Sequence, residues 1–508
     1  VLFRSPGPTF SGGGLGSVPG AVVMNLFPPV SETSISIAQF QLFGQARVDQ
    51  AEVKAGFGTV PDFHALDSKS DVAGIDPGRV IDLTDRLRPD GTLDWTPPKG
   101  SYWRVVRFGW SLTGKTNHPA SAEATGLEVD KYDANAVARY VEGYLAMYRD
   151  AVGAENIGAK GIRALLTDSI EVGASNWTPD MIAQFKTRRG YDPMPWLPVL
   201  AGVVIGSSQQ SDKFLYDYRR TLADLMAEAH YGTVAKVAHA HGLKVYGEAL
   251  EDGRPVLGDD LAMRRFADVP MAALWTFPAG GKPRPGLMGD MKGAASVAHF
   301  WGQNLVAAES MTAAFSPWAF APHDLKHVID LEFVQGVNRP VIHTSVHQPT
   351  DDKLPGLSLG PFGQYFNRHE TWAEMARPWI DYIARTSFLL QQGHDAADLA
   401  IFYGEESPVT VLYRNGTPDW APKGHPFDLV NGQMLTALEV GADGNMTSPG
   451  GARYQALFLS GTADHMTVAT LVQIKRLVDA GARVIGKPPT ADRKSTRLNS
   501  SHTDISRM

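Results

Sequence analysis

Cysteine is absent from the 508 residues. That excludes disulfides, thiolate metal sites and a cysteine nucleophile, and it leaves the redox compartment open, because periplasmic proteins also manage without cysteine. No run reaches the roughly 18 consecutive apolar residues that a membrane helix needs; the best stretch, Trp196 to Ile205, is short and carries Pro198. Basic residues are not in excess. Lys+Arg total 47 against Asp+Glu 54, a formal charge of −7, which argues against nucleic acid or an anionic membrane as the main partner. There is no HExxH zinc motif, and no repeat of 20–50 residues.

What is present is an ordinary globular composition, with 43% hydrophobic and 20% charged residues, enough chain for two to four domains. Trp (11) and Tyr (15) are plentiful, as expected where sugar rings are stacked, though core packing also uses them. Residues 1–22 read as artefact and Gly/Pro-rich linker, the first five (VLFRS) resembling translated adapter sequence; residues 491–508 read as a tail of the same kind. Residues 23–110 carry short β-like runs (SISIAQFQLF, RVIDLTDRL, SYWRVVRFGW) around the turn RPDGTLDW, and predict a β-rich module and the start of a barrel.

From 111 to 397 helices alternate with short apolar strands. Asp133 is placed to cap a helix over 133–149, Thr178 and Pro179 to open one ending at Gly190, and residues 211–242 to form a long helix stopping at Gly242. Strands are expected at IRALLTD, LKVYGE, DVPMAALWTF, NLVAAES and RPVIHTSVH. That alternation predicts a (β/α)8, TIM-like catalytic barrel. Residues 398–490 (LAIFYG, a helix around DLVNGQMLTALEV, YQALFLSG, a helix, ARVIG) predict a small flavodoxin-like, doubly wound α/β domain. No G-x-G-x-x-G follows its first strand, so nucleotide binding is not indicated.

In a barrel the reactive groups sit where strands end. LLTDSIE supplies Asp168 and Glu171; VYGEALEDGRP supplies Glu248, Glu251 and Asp252; LVAAES supplies Glu309; PVIHTSVH supplies His343 and His347. Carboxylates at several strand ends, without cysteine or a phosphate loop, fit glycoside hydrolysis, in which two carboxyl groups act on opposite faces of the sugar. The plainer alternative for each is a helix cap or a solvated loop acid, and Glu251 and Asp252 could simply pair with Arg254. Glu309 follows LVAA and is expected to be partly buried, with a raised pKa or a partner. His343 and His347, four apart in one strand, should share a face. Trp275 at a strand end could stack on a ring, whereas Trp301 fits a helical core pattern. Residues 112–131 form a long polar loop with His118 at its centre, placed to bond sugar hydroxyls.

The segments FGWSLTGKTNHPA, GLEVDKYD, LLTDSIEVGASNWTP, FKTRRGYDP, LPVLAG, VYGEALEDGRP, AAESMTA and GPFGQYFNRHETW together resemble the α-L-rhamnosidases of glycoside hydrolase family 106, over about residues 100–490. The resemblance implies an inverting enzyme with a (β/α)8 catalytic domain, attached β-sandwich modules and calcium near the sugar. It implies that Glu171 is the general acid, held protonated by neighbouring Asp168, and that Glu309 is the general base. Glu248 matches more weakly, as a sugar or calcium ligand; the metal rests on the resemblance alone. His118, Trp275, His343, His347 and Tyr365 join Glu248 as expected substrate contacts. The family's usual aromatic after Asp-Ser is here Ile170, which would alter the pocket's shape. The expected partner is a rhamnose-containing oligosaccharide, polysaccharide or glycoside, met in the periplasm or outside the cell. Two alternatives stand beside this reading: a retaining glycosidase of β-galactosidase-like architecture, and a non-catalytic carbohydrate-binding barrel.

Overall fold

The computed structural model describes residues 42–60, 63–117, 122, 125–250, 257–316, 318–354, 356–357, 359, 362–405, 422–460 and 463–492. Its larger part is a parallel sheet of five strands: β1 (Ala164–Thr167), β2 (Lys244–Gly247), β3 (Val269–Trp275), β4 (Ala307–Thr312) and β5 (Arg339–Ile342). Spatial order follows chain order, β1-β2-β3-β4-β5, as successive right-handed crossovers dictate. The helices are α1 (Ala51–Lys54), α2 (Ala134–Val152), α3 (Met181–Arg189), α4 (Ser208–Leu225), α5 (Thr233–Ala240), α6 (Asp260–Arg264), α7 (Pro285–Trp301), α8 (Pro322–Val334) and α9 (Arg377–Leu390). Apolar faces of β3, β4, α7, α8 and α9 interlock in one cluster that includes Leu274, Met291, Val328 and Trp379.

All five expected barrel strands form, yet they do not close on one another among the described residues: β1 and β5 remain edges. A cleft of about 620 Å³ separates them, walled by Ala164, Leu166, Ile342, Ile380 and Phe388. Leu166 is half exposed at that edge. Among the described residues the five strands form a partial, parallel ring. Over 42–110, where a β-rich module was expected across 23–110, the described residues carry short helical turns and isolated bridges. Among the described residues SYWRVVRFGW has no ladder partner, and Val105, Phe108 and Trp110 are exposed. The turn in that region does form: Gly91 takes φ 85°, and Leu87 bridges Leu93, a conformation glycine reaches without steric cost.

Helix ends follow the local chemistry. Asp133 accepts hydrogen bonds from the amides of Asn135 and Ala136 and opens α2, and Gly190 and Gly242 end their helices at φ 81° and 70°. Thr178 does not cap α3. Its hydroxyl donates to Asp130 at 2.8 Å, and the helix begins three residues later, after Asp180. The long helix runs as α4, a π-helical stretch over Met226–Gly232, and α5.

The C-terminal part holds β6 (Leu399–Phe402), β7 (Phe427–Val430), α10 (Gly432–Ala437), β8 (Glu439–Val440), β9 (Met446–Thr447), β10 (Arg453–Tyr454), β11 (Ala456–Leu459), β12 (His465–Met466), α11 (Val468–Asp479), β13 (Val484–Ile485) and β14 (Ala491–Asp492). Its main sheet is parallel with order β13-β11-β6-β7, the doubly wound order in which the first strand sits inside the second. Four strands appear instead of the three expected. The stretch FDLV, expected at the edge of a helix, is β7; its buried Asp428 interrupts the apolar run that normally marks a strand.

Candidate active site

Parallel strands deliver their C-terminal ends to one rim, so residues after β1 and β2 meet there. The β1–β2 pairing continues past the strands: Glu248 N–H donates to the Thr167 carbonyl at 3.0 Å, and Ile170 N–H to the Ala249 carbonyl at 3.1 Å. This zipper sets Asp168, one residue after β1, against Glu248, one residue after β2. Glu309 lies within β4, in register with Ala273 on one side and Val341 on the other. One carboxylate oxygen from each of Asp168, Glu248 and Glu309 lies within 4.8 Å of the other two. Glu171 is tied to the group through Ser169, whose hydroxyl is 3.1 Å from Glu171 Oε1 and 3.5 Å from Asp168 Oδ1.

The trio's negative charge is only partly offset, Arg264 acting on Glu248 from below without outweighing burial and the neighbouring carboxylates. Among the described residues no lysine or arginine is ion-paired with any of its members; His343 Nδ1 is 3.8 Å from Glu309 Oε1. Asp168 is exposed and Glu248 is 5% exposed. Burial, and then the charges of Glu309 and Asp168, push Glu248 well above the usual carboxylate range. Beneath it Arg264, fully buried, holds Asp260 at 2.8 Å and also bonds Asp290 and the Met271 carbonyl. Burial holds Asp290 at about 7 despite that guanidinium. The carboxyl raised here is Glu248, which the sequence had offered only as a sugar or calcium ligand.

Such a donor set fits a hard divalent cation. Calcium takes oxygen ligands, three carboxylate oxygens gathered within 4.8 Å of one another are donors of that type, and an ion among them would remove the repulsion at Glu248.

The remaining expected residues divide. His343 comes to the site, its Nδ1 3.1 Å from the Thr312 hydroxyl. His347 does not share its face: β5 ends at Ile342, and His347 is exposed on the chain beyond. Trp275 does end β3; Arg284 covers one ring face at 4.6 Å and Phe362 meets the ring edge-on. Tyr365 is 3% exposed and packs edge-on against Trp318. Ile170 points into the core, not the pocket, so its departure from the family pattern is a packing matter. Trp301 ends α7 against the core, with Arg265 over its ring. His118, Glu251 and Asp252 lie outside the described residues. Sequence reasoning missed Thr312, whose hydroxyl donates to Glu309 Oε1 at 2.5 Å; strand alternation puts 309 and 312 on opposite faces.

A family model described as alpha-L-rhamnosidase, of glycoside hydrolase family 106, matches residues 20–508. The chain belongs to this family. Among solved structures, the rhamnosidase from Novosphingobium sp. PP1Y is 60% identical at a TM-score of 0.87, over 91% of this chain and 44% of that one. A curated protein of Formosa agariphila, named "Putative beta-glucuronidase", is 35% identical over 466 residues, covering 91% of this chain and 38% of its own length. The chain therefore spans less than half of each of these family relatives.

Proposed function

We propose that this chain carries the catalytic centre of an inverting α-L-rhamnosidase that removes terminal α-L-rhamnose from a rhamnose-containing glycoside or saccharide. The observation that carries the reading is the trio Asp168, Glu248 and Glu309, with Glu171 tethered beside it through Ser169. Desolvating a carboxylate is costly, so Glu248, buried beside two further acids, marks a functional-site candidate. Glu171 donates its proton to the glycosidic oxygen as that bond breaks. Glu309 accepts a proton from the water that attacks the anomeric carbon from the other face, so hydrolysis inverts the configuration.

Asp168, Glu248 and one oxygen of Glu309 would hold calcium. The ion would bind and orient sugar hydroxyls. The apolar cleft between β5 and β1 supports closure of the sheet into a (β/α)8 barrel by further strands, with residues 111–397 as its core and 398–490 as a separate small α/β unit.

The glucuronidase name of one relative offers a competing substrate. A panel of aryl glycosides decides. Rhamnoside should be hydrolysed, with activity lost to a chelator and restored by calcium, and β-glucuronide should be inert. The reverse preference, or equal activity in the chelator, would reject the substrate or the metal respectively.

A further inference from the structure

We propose that Thr312 is a positioning residue for Glu309, held in turn by His343; the inference rests on reading Glu309 as the general base. An undistorted β4 would turn residue 312 away from residue 309, since side chains alternate along a strand. The strand is distorted at one place. Met311, fully buried, has φ 68°, a left-handed conformation that a residue with a β-carbon rarely adopts. The register with β3 slips at the same point, between Leu274 and Trp275, so that Trp275 pairs with Thr312.

That bulge swings Thr312 onto the face of Glu309. Its carbonyl is fixed by Thr276 N–H at 2.8 Å, and its hydroxyl donates to Glu309 Oε1 at 2.5 Å. A hydroxyl has one proton to give, so the bond at 3.1 Å with His343 runs the other way, from Nδ1–H of His343 to the Thr312 oxygen. His343 is delivered by the β4–β5 ladder, its N–H donating to the Ser310 carbonyl at 3.0 Å. On the opposite face Ser310 is bonded at 2.7 Å to Glu332, which is fully buried on α8 and which burial holds well above the usual carboxylate range. Glu309 thus lies in a strand anchored from behind, and its carboxylate is oriented from the side by a hydroxyl that only the bulge can supply.

The test is steady-state kinetics on the whole chain with aryl α-L-rhamnosides of poor and of good leaving-group ability. Thr312→Val should lower kcat by about tenfold to a hundredfold, as misplacing a reacting group does, with KM nearly unchanged. The loss should persist with the good leaving group, because the defect lies with the base and not the acid. Thr312→Ser, which keeps the hydroxyl, should recover most of kcat, and should the valine variant misfold, Thr312→Ala should show the same loss of about tenfold to a hundredfold, that of misplacing a reacting group. A crystal structure of either hydroxyl-free variant should find the Glu309 carboxylate rotated or split. Unchanged kcat with an unmoved carboxylate overturns the proposal. Glu309→Gln separates the two claims: a dead glutamine variant beside a fully active valine variant removes Thr312 alone, whereas an active glutamine variant removes the base assignment.

Discussion

Two three-ligand clusters in this molecule have similar ingredients and opposite electrostatics. Asp168, Glu248 and Glu309 meet at the rim of the large sheet; His299, Asp395 and Asp428 meet where α7 packs on β7 of the C-terminal part. In the second cluster every charge has a partner. His299 Nδ1 is 2.9 Å from Asp428 and 3.3 Å from Asp395, Lys292 reaches Asp428 at 4.0 Å, and Tyr454 donates to its second oxygen at 3.0 Å. Burial works against Asp428, but His299 and its hydrogen bond outweigh it and hold the carboxyl below its usual range. Burial likewise opposes charge on His299, and Asp428, then Asp395, lift it above the ordinary histidine value. At the rim, burial and like charge act together on Glu248 and raise it. The paired cluster fastens two layers together, whereas Glu248 at the rim is left to take a proton, a cation or a substrate.

The contrast breaks most visibly at Asp428. Asp428→Asn removes the buried partner of His299 and should destabilise the fold by about 3 kcal/mol, the scale for breaking one side of a buried pair, read as a lowered denaturation midpoint. Because the folded pKa of His299 is raised, its contribution is complete below about 6.5, the ordinary histidine value, and fades as pH rises through the raised value. The contribution of Asp428 fades as pH falls through its lowered one. The wild-type melting temperature should therefore exceed that of the variant most between those two pKa values, and a gap unchanged into alkaline pH would deny His299 its charge.

Glu248→Gln should act in the other direction and more weakly. A carboxyl with a raised folded pKa costs stability once pH climbs above its unfolded value near 4.3. Removing it should raise the melting temperature by about 2–4 °C at neutral pH without divalent cations, and the gain should vanish in acid. Calcium should stabilise the wild type and not this variant. A variant less stable at neutral pH would mean that the rim is held by Glu248 rather than strained by it.

Much of this was legible in the residues. Strand ends rich in Asp and Glu named all three members of the trio, Asp133, Gly190 and Gly242 marked helix boundaries, and the ordered motifs named the family. What stayed hidden depends on distant contacts. The left-handed Met311 has no glycine to announce it, so Thr312 looked like an outward strand residue. His347 looked like a neighbour of His343 because nothing local says that β5 stops at Ile342. Asp428 concealed β7, since a buried charge is tolerable there only because His299, far off in the chain, lies beside it. Barrel closure was read from the rhythm of helices and strands, and rhythm counts elements without showing which edges pair.

The most direct test of the two-carboxylate account follows the product by proton NMR as the chain cleaves an aryl α-L-rhamnoside. The account predicts that β-L-rhamnose appears first and only later mutarotates, and that Glu309→Gln abolishes its release. Initial appearance of the α anomer would contradict it, since that outcome requires a covalent glycosyl intermediate in place of direct attack by water.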